Sequence, residues 1–308
     1  MNSGQAAPAN RQASSNTNTG LAAPATVNAP PDKNDGLAAP CSTNTTTDKA
    51  QEEVDKHAAQ VSALQAWLRS DASLAEAVAA VDAGEGPAVL QEEGLYRRIL
   101  VARAWGDEAA RVMLDAHVRW RATTLPSTVR RDKLPPGVFE SGVFTVIGTT
   151  QEGMPVILSH HRRFEPDNFT DETYSLYLVF IMEEAIRAMP PGVEQIVLVF
   201  DMDGFEFGKH AGPSVIRKGQ AMIAIAQDHY PERLRRMISF NAPRLFSGLW
   251  KLATPFIDAK SQDKIIFTKK LDELCKYVDR STLPPRLAGP PDDAAAAAPS
   301  PSERRASN

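Results

Sequence analysis

The stretch QIVLVFDM, Gln195 to Met202, constrains the fold of this chain more than any other, because Ile196 to Phe200 are all apolar and run straight into Asp201. A strand wetted on one face alternates apolar and polar residues, so an unbroken apolar run must be covered on both faces. Strands of that kind belong to sheets in which helices connect parallel neighbours. RMISFNA and KIIFT, starting at Arg236 and Lys264, are shorter runs of the same type. VFTVIGTTQEGMPVILSH, Val143 to His160, reads as two strands around a turn at Gly153. Helical patterns intervene: Thr170 is placed to cap DETYSLYLVFIMEEAIRAM, and SVIRKGQAMIAIAQ offers Val215, Met222, Ile223 and Ala226 for burial. Alternating strands and helices predict an α/β fold with a mixed, largely parallel sheet flanked by helices.

Ahead of this region lies a small helical lobe, predicted over residues 51–125. Val54, Ala58, Val61, Leu64 and Leu68 recur at helical spacing, and Leu74, Val78 and Val81 repeat the pattern before the Gly84/Gly86/Pro87 break. LYRRILVARAW reads as a helix ending at Gly106, and Asp107 is expected to cap another that buries Val112, Met113, Ala116 and Trp120. The α/β domain then occupies 126–280. No aromatic residue precedes Trp67, and residues 1–50 are rich in Ala, Ser, Thr, Asn and Pro; residues 281–308 contain GPPDDAAAAAPSPSERRASN. Such segments bury too little apolar surface to offset ordering entropy, so both ends are expected to be disordered tails.

The bulk numbers narrow the function classes. With 308 residues and 43% hydrophobic content, the chain can fill a sizeable core. A formal net charge of -4 gives no overall pull toward nucleic acid, which is excluded as an expected partner. Cys41 and Cys275 have no metal-ligand spacing and read as reduced thiols. No apolar run reaches the roughly 20 residues of a membrane span, and Met1 to Pro30 lacks a secretory apolar segment. A cytoplasmic monomer is the expectation, with a plastid transit sequence as the alternative reading of the Ser/Thr-rich start.

Most catalytic signatures are missing: there is no phosphate-cradling Gly-Lys loop, dinucleotide Gly pattern, Ser elbow or zinc-binding His pair on a helix. Adjacent His160 and His161 on a strand face opposite ways, cannot share a metal, and read as a solvated strand end. Asp201-x-Asp203-Gly204 after an apolar strand resembles the opening motif of haloacid-dehalogenase-type phosphatases, in which two carboxylates at that spacing act around Mg²⁺. That family opens its domain with this motif and needs a later Ser/Thr, a Lys and an acidic pair on further strand ends, whereas here about 200 residues precede it and Asp292 and Asp293 fall in the expected tail; an Mg²⁺-dependent phosphatase using Asp201 and Asp203 stays an alternative, and no catalytic, metal or cofactor site is expected.

NAPRLFSGLWKLATPFID, Asn241 to Asp258, reads as a short helix that is apolar on nearly every side, with Leu245, Leu249, Leu252 and Phe256 on one face and Phe246, Trp250, Ala253 and Ile257 on another. Its surroundings carry an ordered set of motifs: Tyr230-Pro231-Glu232-Arg233, Asn241-Ala242-Pro243, Thr254-Pro255-Phe256-Ile257-Asp258 and Asp263-Lys264-Ile265. Upstream stand RRILVARAW, GMPV and FDMDGF. Together they resemble the CRAL-TRIO lipid-binding family from about Glu92 to Asp279. The resemblance implies a helical lobe leading into a sheet around an apolar pocket, closed by the greasy helix as a gate that also meets a bilayer. It implies a non-enzymatic protein that holds one phospholipid, with phosphatidylinositol leading, and exchanges it at a transient membrane surface. Carried over residue by residue, the headgroup-binding set is Arg103, Glu232, Ser261 and Lys264. The Lys that follows the Arg in phosphatidylinositol-binding relatives is replaced by Ala104. The plainer reading of Glu232 is a surface pair with Arg233 or Arg235. Pocket and gate residues are expected to be Val197, Val199, Ile223, Leu245, Phe246, Leu249, Trp250 and Phe256. Ile196 and Leu198, where choline-lipid binders carry Ser and Thr, argue against phosphatidylcholine. A tocopherol, sterol or retinoid carrier is the alternative within the same architecture.

Overall fold

A computed structural model describes residues 44–244 and 246–288, without the side chains of residues 44–48, Ser247, Leu249 and Leu252. Residues 1–43 with Cys41, residues 289–308 and Leu245 lie outside the described residues, as does the side chain of Leu249.

The lobe comprises α1 (Asn44–Ser70), α2 (Ala75–Gly84), α3 (Glu93–Ala102) and α4 (Asp107–Thr124). Val61, Leu64, Leu68, Leu74, Val81, Ile99 and Leu114 are among the residues of its core. Two expectations shift. Val54 is 59% exposed, since no described residue of α1 before His57 is packed. The buried face of α4 is Ala110, Met113, Leu114, His117 and Val118, which leaves Val112 and Ala116 outside. Gly106, rather than Asp107, is the N-cap of α4; Asp107 sits in the first turn, where its charge still complements the helix dipole.

The described residues form one five-stranded sheet in the order β1 (Phe144–Thr149), β2 (Pro155–His160), β3 (Ile196–Asp201), β4 (Leu234–Phe240), β5 (Ile265–Thr268). β1 and β2 are antiparallel, joined through Gly153 at φ 80°, and the remaining neighbours are parallel. The crossovers are α5 (Asp171–Arg187), then α6 (Phe207–His210) with α7 (Pro213–His229), then α8 (Phe246–Ala253) with α9 (Ala259–Gln262); α10 (Leu271–Leu274) and α11 (Pro285–Ala288) follow β5. Thr170 caps α5 as expected: its Oγ1 accepts from the Thr173 N–H at 3.0 Å.

Alternation along the strands splits the sheet into two environments. On one face Ile157, Ile196, Phe200 and partly buried Leu198 and Met237 meet α5 and α7. On the other, Val156, Leu158, Val197, Val199, Ile238 and Phe240 are packed by Leu274, Val278, Leu283 and Leu287. Val197 and Val199 therefore lie on the face away from α7, which corrects their expected place in the pocket wall. Leu283 and Leu287 also revise the boundary at residue 280: at 5% and 4% exposed they cover the sheet, so residues 281–288 belong to the folded domain.

Candidate functional site

The α7 face of the sheet encloses two adjoining chambers. The first, of about 320 Å³, has an apolar floor that includes Ile196, Leu198, Met222 and Met237. The second, of about 180 Å³, lies under α8 among Phe200, Met202, Val215, Phe246 and Trp250. Phe144, Met222, Ile223, Met237 and Ile257 border both.

Arg103, Glu232 and the Ser261/Lys264 pair come from three separate stretches of sequence and all border the first chamber. Arg103 ends α3, where the chain turns sharply through Ala104 and Trp105 at φ 49° and 60°. Its guanidinium donates to the Ala102 carbonyl at 3.4 Å, and among the described residues no carboxylate lies within ion-pair reach of it. Glu232 occupies the turn after α7 with φ 57°, a conformation uncommon for a residue with a Cβ. Its neighbours hold it there. Tyr230 is buried and donates its hydroxyl proton to Glu183 at 2.9 Å; Arg233 donates to the Glu194 carbonyl at 2.9 Å. Burial, then the neighbouring Arg98, brings the Arg233 guanidinium down to about 10.

Glu232 pairs with Lys260 at 2.7 Å and with Lys264 at 3.5 Å, not with Arg233 or Arg235. Lys260, which also borders the chamber, is the rim cation the sequence motifs missed. Its signal was faint: it stands four residues before Lys264 in AKSQDK, outside the Asp-Lys-Ile match. Ser261 is positioned by α9, whose cap Asp258 accepts from the Ser261 N–H at 2.8 Å. The chamber's border thus carries the cations Arg103, Lys260 and Lys264 around Glu232, with Arg233, Asp228 and Asp258 also on it, above an apolar floor. It suits an anionic headgroup whose tail enters the protein.

The greasy segment is shorter than one helix from Asn241 to Asp258. Asn241 adopts φ 62°, Pro243 precedes the helix and Pro255 follows it, so α8 keeps eight residues and passes into a 3₁₀ turn at Thr254–Phe256. Phe246, Trp250, Ala253 and Ile257 line the second chamber. Phe256 does not line either chamber: it is 49% exposed, because the 3₁₀ turn rotates it outward. Phe267, against which Trp250 packs edge-on at 5.1 Å, is also exposed. Gln227 of α7 fastens the far end of this segment, donating to the Phe256 carbonyl at 3.0 Å and accepting from the Asp258 N–H at 2.8 Å.

The carboxylate pair at the end of β3 is otherwise engaged. Asp201 is 0% exposed and ion-paired with Arg286 of α11; Asp203 pairs with Arg162 and, at 2.8 Å, with Arg286. A nucleophile needs access to a phosphoryl group, and Asp201 has none. Its neighbour His160, 4.0 Å away, is buried rather than solvated, and burial followed by Arg163 and Arg286 lowers its imidazole to about 4. His161 borders the second chamber, likewise lowered to about 4 by burial, then by His210. The solvated strand end is therefore overturned for both. Among the described residues, no helix is long and apolar enough to cross a membrane.

Residues 139–289 match the CRAL/TRIO domain family. A CRAL-TRIO domain-containing protein of Schizosaccharomyces pombe is 28% identical over 207 residues, covering 64% of this chain and 46% of that protein. A phosphatidylinositol transfer protein of Eremothecium gossypii is 25% identical over 210 residues, covering 64% and 47%, respectively. An alpha-tocopherol transfer protein-like protein of Homo sapiens is 27% identical over 205 residues, covering 64% and 58%. The chain thus spans about half the length of these relatives. Among solved structures, that of Sfh5 superposes with a TM-score of 0.53 at 16% identity, covering 60% of this chain and 67% of Sfh5.

Proposed function

We propose that this chain, which carries a CRAL/TRIO domain of the lipid-binding transfer family over residues 139–289, holds one phospholipid with its headgroup at the Arg103/Lys264 rim and its hydrocarbon under α8. Phosphatidylinositol is the leading ligand. The observation that carries the reading is the convergence of Arg103, Glu232, Ser261 and Lys264 on one opening of an apolar cavity. Arg103 and Lys264 make charge-assisted hydrogen bonds to the phosphate. Glu232 orients Lys260 and Lys264 and accepts from inositol hydroxyls when a lysine swings toward the phosphate.

Exchange follows from the energetics of hydrocarbon. Each CH₂ left in water costs about 0.8 kcal/mol, so a whole lipid does not leave the pocket for solvent. Passage between two apolar hosts nearly cancels that cost, provided the cavity opens against a bilayer. Exposed Phe256 and Phe267 beside α8 give the chain an apolar surface for that contact.

The test is lipid transfer between vesicles by the full chain and by the Lys264→Ala/Glu232→Ala double variant. Phosphatidylinositol transfer by the parent, lost in the variant, is the expected result. Undiminished transfer in the variant removes the headgroup assignment, and transfer of tocopherol with none of phosphatidylinositol replaces the ligand.

A further inference from the structure

The second chamber is apolar except along part of its wall. Ser239 lies on β4 between Phe200 of β3 and Phe267 of β5, is 0% exposed, and its Oγ has no hydrogen-bond partner. The Nδ1 of His161, just past β2, is likewise buried and unpartnered. Both residues border the chamber. His210 on the same wall is the contrast: its Nδ1 accepts from the Glu206 N–H at 2.8 Å and its Nε2 meets the Phe164 carbonyl at 3.0 Å. One imidazole is satisfied in full, while its neighbour and a strand serine face an apolar space with bonds unmade. Buried polar groups are nearly always bonded, so two orphans on the wall of one cavity mark a place where something else supplies the partner.

We propose that the second chamber recognises a hydroxyl group carried on the hydrocarbon of the ligand, and thereby prefers an oxygenated chain to a plain one. A hydroxyl both donates and accepts, so it matches the Ser239 hydroxyl and the His161 imidazole alike, whichever ring nitrogen of His161 holds the proton. A carbonyl only accepts, and a CH₂ does neither. An anionic group finds no free charge here: Lys218, the Lys/Arg cation bordering the chamber, is held by Asp171 at 3.1 Å and Ser214 at 2.7 Å. A site built to bond a hydroxyl discriminates against the analogue that lacks it, because its own groups are then left unpaired.

This inference rests on the cavity being a lipid site, and its test separates the two claims. The full chain, loaded with an environment-sensitive fluorophore such as anilinonaphthalene sulfonate, is titrated with stearic acid and with a hydroxystearic acid bearing its hydroxyl near mid-chain. The hydroxylated acid is expected to displace the probe at about tenfold lower concentration, the effect of roughly one good hydrogen bond. Ser239→Ala and His161→Phe are each expected to shrink that preference to within about twofold while stearic acid still competes. Ser239→Ala removes an unpaired buried hydroxyl, so its melting temperature is expected to match or exceed the parent's, which distinguishes lost recognition from lost folding. Equal displacement by the two acids, or a preference that survives both substitutions, overturns the inference and leaves the lipid cavity standing. Displacement by neither acid overturns the lipid cavity and this inference with it.

Discussion

The two faces of the sheet are made by the same strands and separated by one residue of register, yet one is filled with apolar side chains over Val199 and Ile238, its space of about 320 Å³ being a polar-walled one at the Val197 margin among Arg235, Arg236 and Asp279, and the other is hollow at its apolar centre. At one level Leu158, Val199 and Ile238 lie side by side on the face packed by α10, α11 and the segment between them. One residue on, Ser159, Phe200 and Ser239 lie side by side on the face that borders the second chamber. The closed face is covered by leucines and valines contributed by the end of the domain. The open face is covered by α7 and α8, which span a gap rather than fill it. A sheet can thus anchor a fold with one side and surrender the other to a ligand, because side-chain alternation insulates the two.

Acid tests the contrast most severely, since adjacent His160 and His161 sit on opposite faces and both are held near 4, as is His229. A histidine whose folded pKa lies below its unfolded value near 6.5 is neutral in the native state and takes up a proton on unfolding. Its stabilising contribution is complete above about pH 6.5 and is lost as the pH falls toward 4. Urea unfolding across that window is expected to show stability falling with acid, with a slope of up to one proton per histidine. A flat profile contradicts burial on either face.

Core truncation sharpens the same comparison. Ile238→Ala on the closed face is expected to cost about 2–4 kcal/mol, as large-to-small changes in filled cores do. Met237→Ala, one residue away but over the cavity, is expected to cost under about 1.5 kcal/mol in the lipid-free protein, because it enlarges a space already present. Equal costs in denaturant titrations would mean that both faces are packed alike.

Chemistry at the rim is predicted to separate from stability altogether. Arg103→Met keeps bulk and removes charge; phosphatidylinositol transfer is expected to drop about tenfold while the melting temperature holds, matching the loss of one charge-assisted bond. The smallest effect belongs to the outside. Phe256→Ala is expected to slow transfer about twofold to fivefold through weaker bilayer contact, with unfolding free energy changed by less than about 0.5 kcal/mol. Vesicle co-sedimentation and transfer rates measured together check it.

What the sequence makes legible follows from period and motif. The strands, the Thr170 cap and the lobe core at Val61, Leu64 and Leu68 are written in local pattern. The face to which Val197 and Val199 belong is not. In Ile196 to Phe200 every position is apolar, so the run announces burial on two sides without saying which side is filled. Arg286 was hidden for the opposite reason: it lies in a Pro- and Ala-rich stretch whose composition suggests a tail, and only the fold brings it to Asp201. Arg103, Glu232, Ser261 and Lys264 were legible as a set through family motifs. Lys260 was not, because its role depends on how α9 presents it to Glu232. The bare hydroxyl of Ser239 was equally hidden, since a serine in a strand says nothing about its partners.

The central claim is that the hollow face holds hydrocarbon beneath α8. Mass spectrometry of the intact chain under native conditions, after incubation with phosphatidylinositol vesicles and repurification, tests it most directly. The account predicts a complex heavier than the protein by the mass of a single phosphatidylinositol, and its loss when Leu198→Trp fills the first chamber of an otherwise folded protein. A chain that emerges from the vesicles with its mass unchanged contradicts the account.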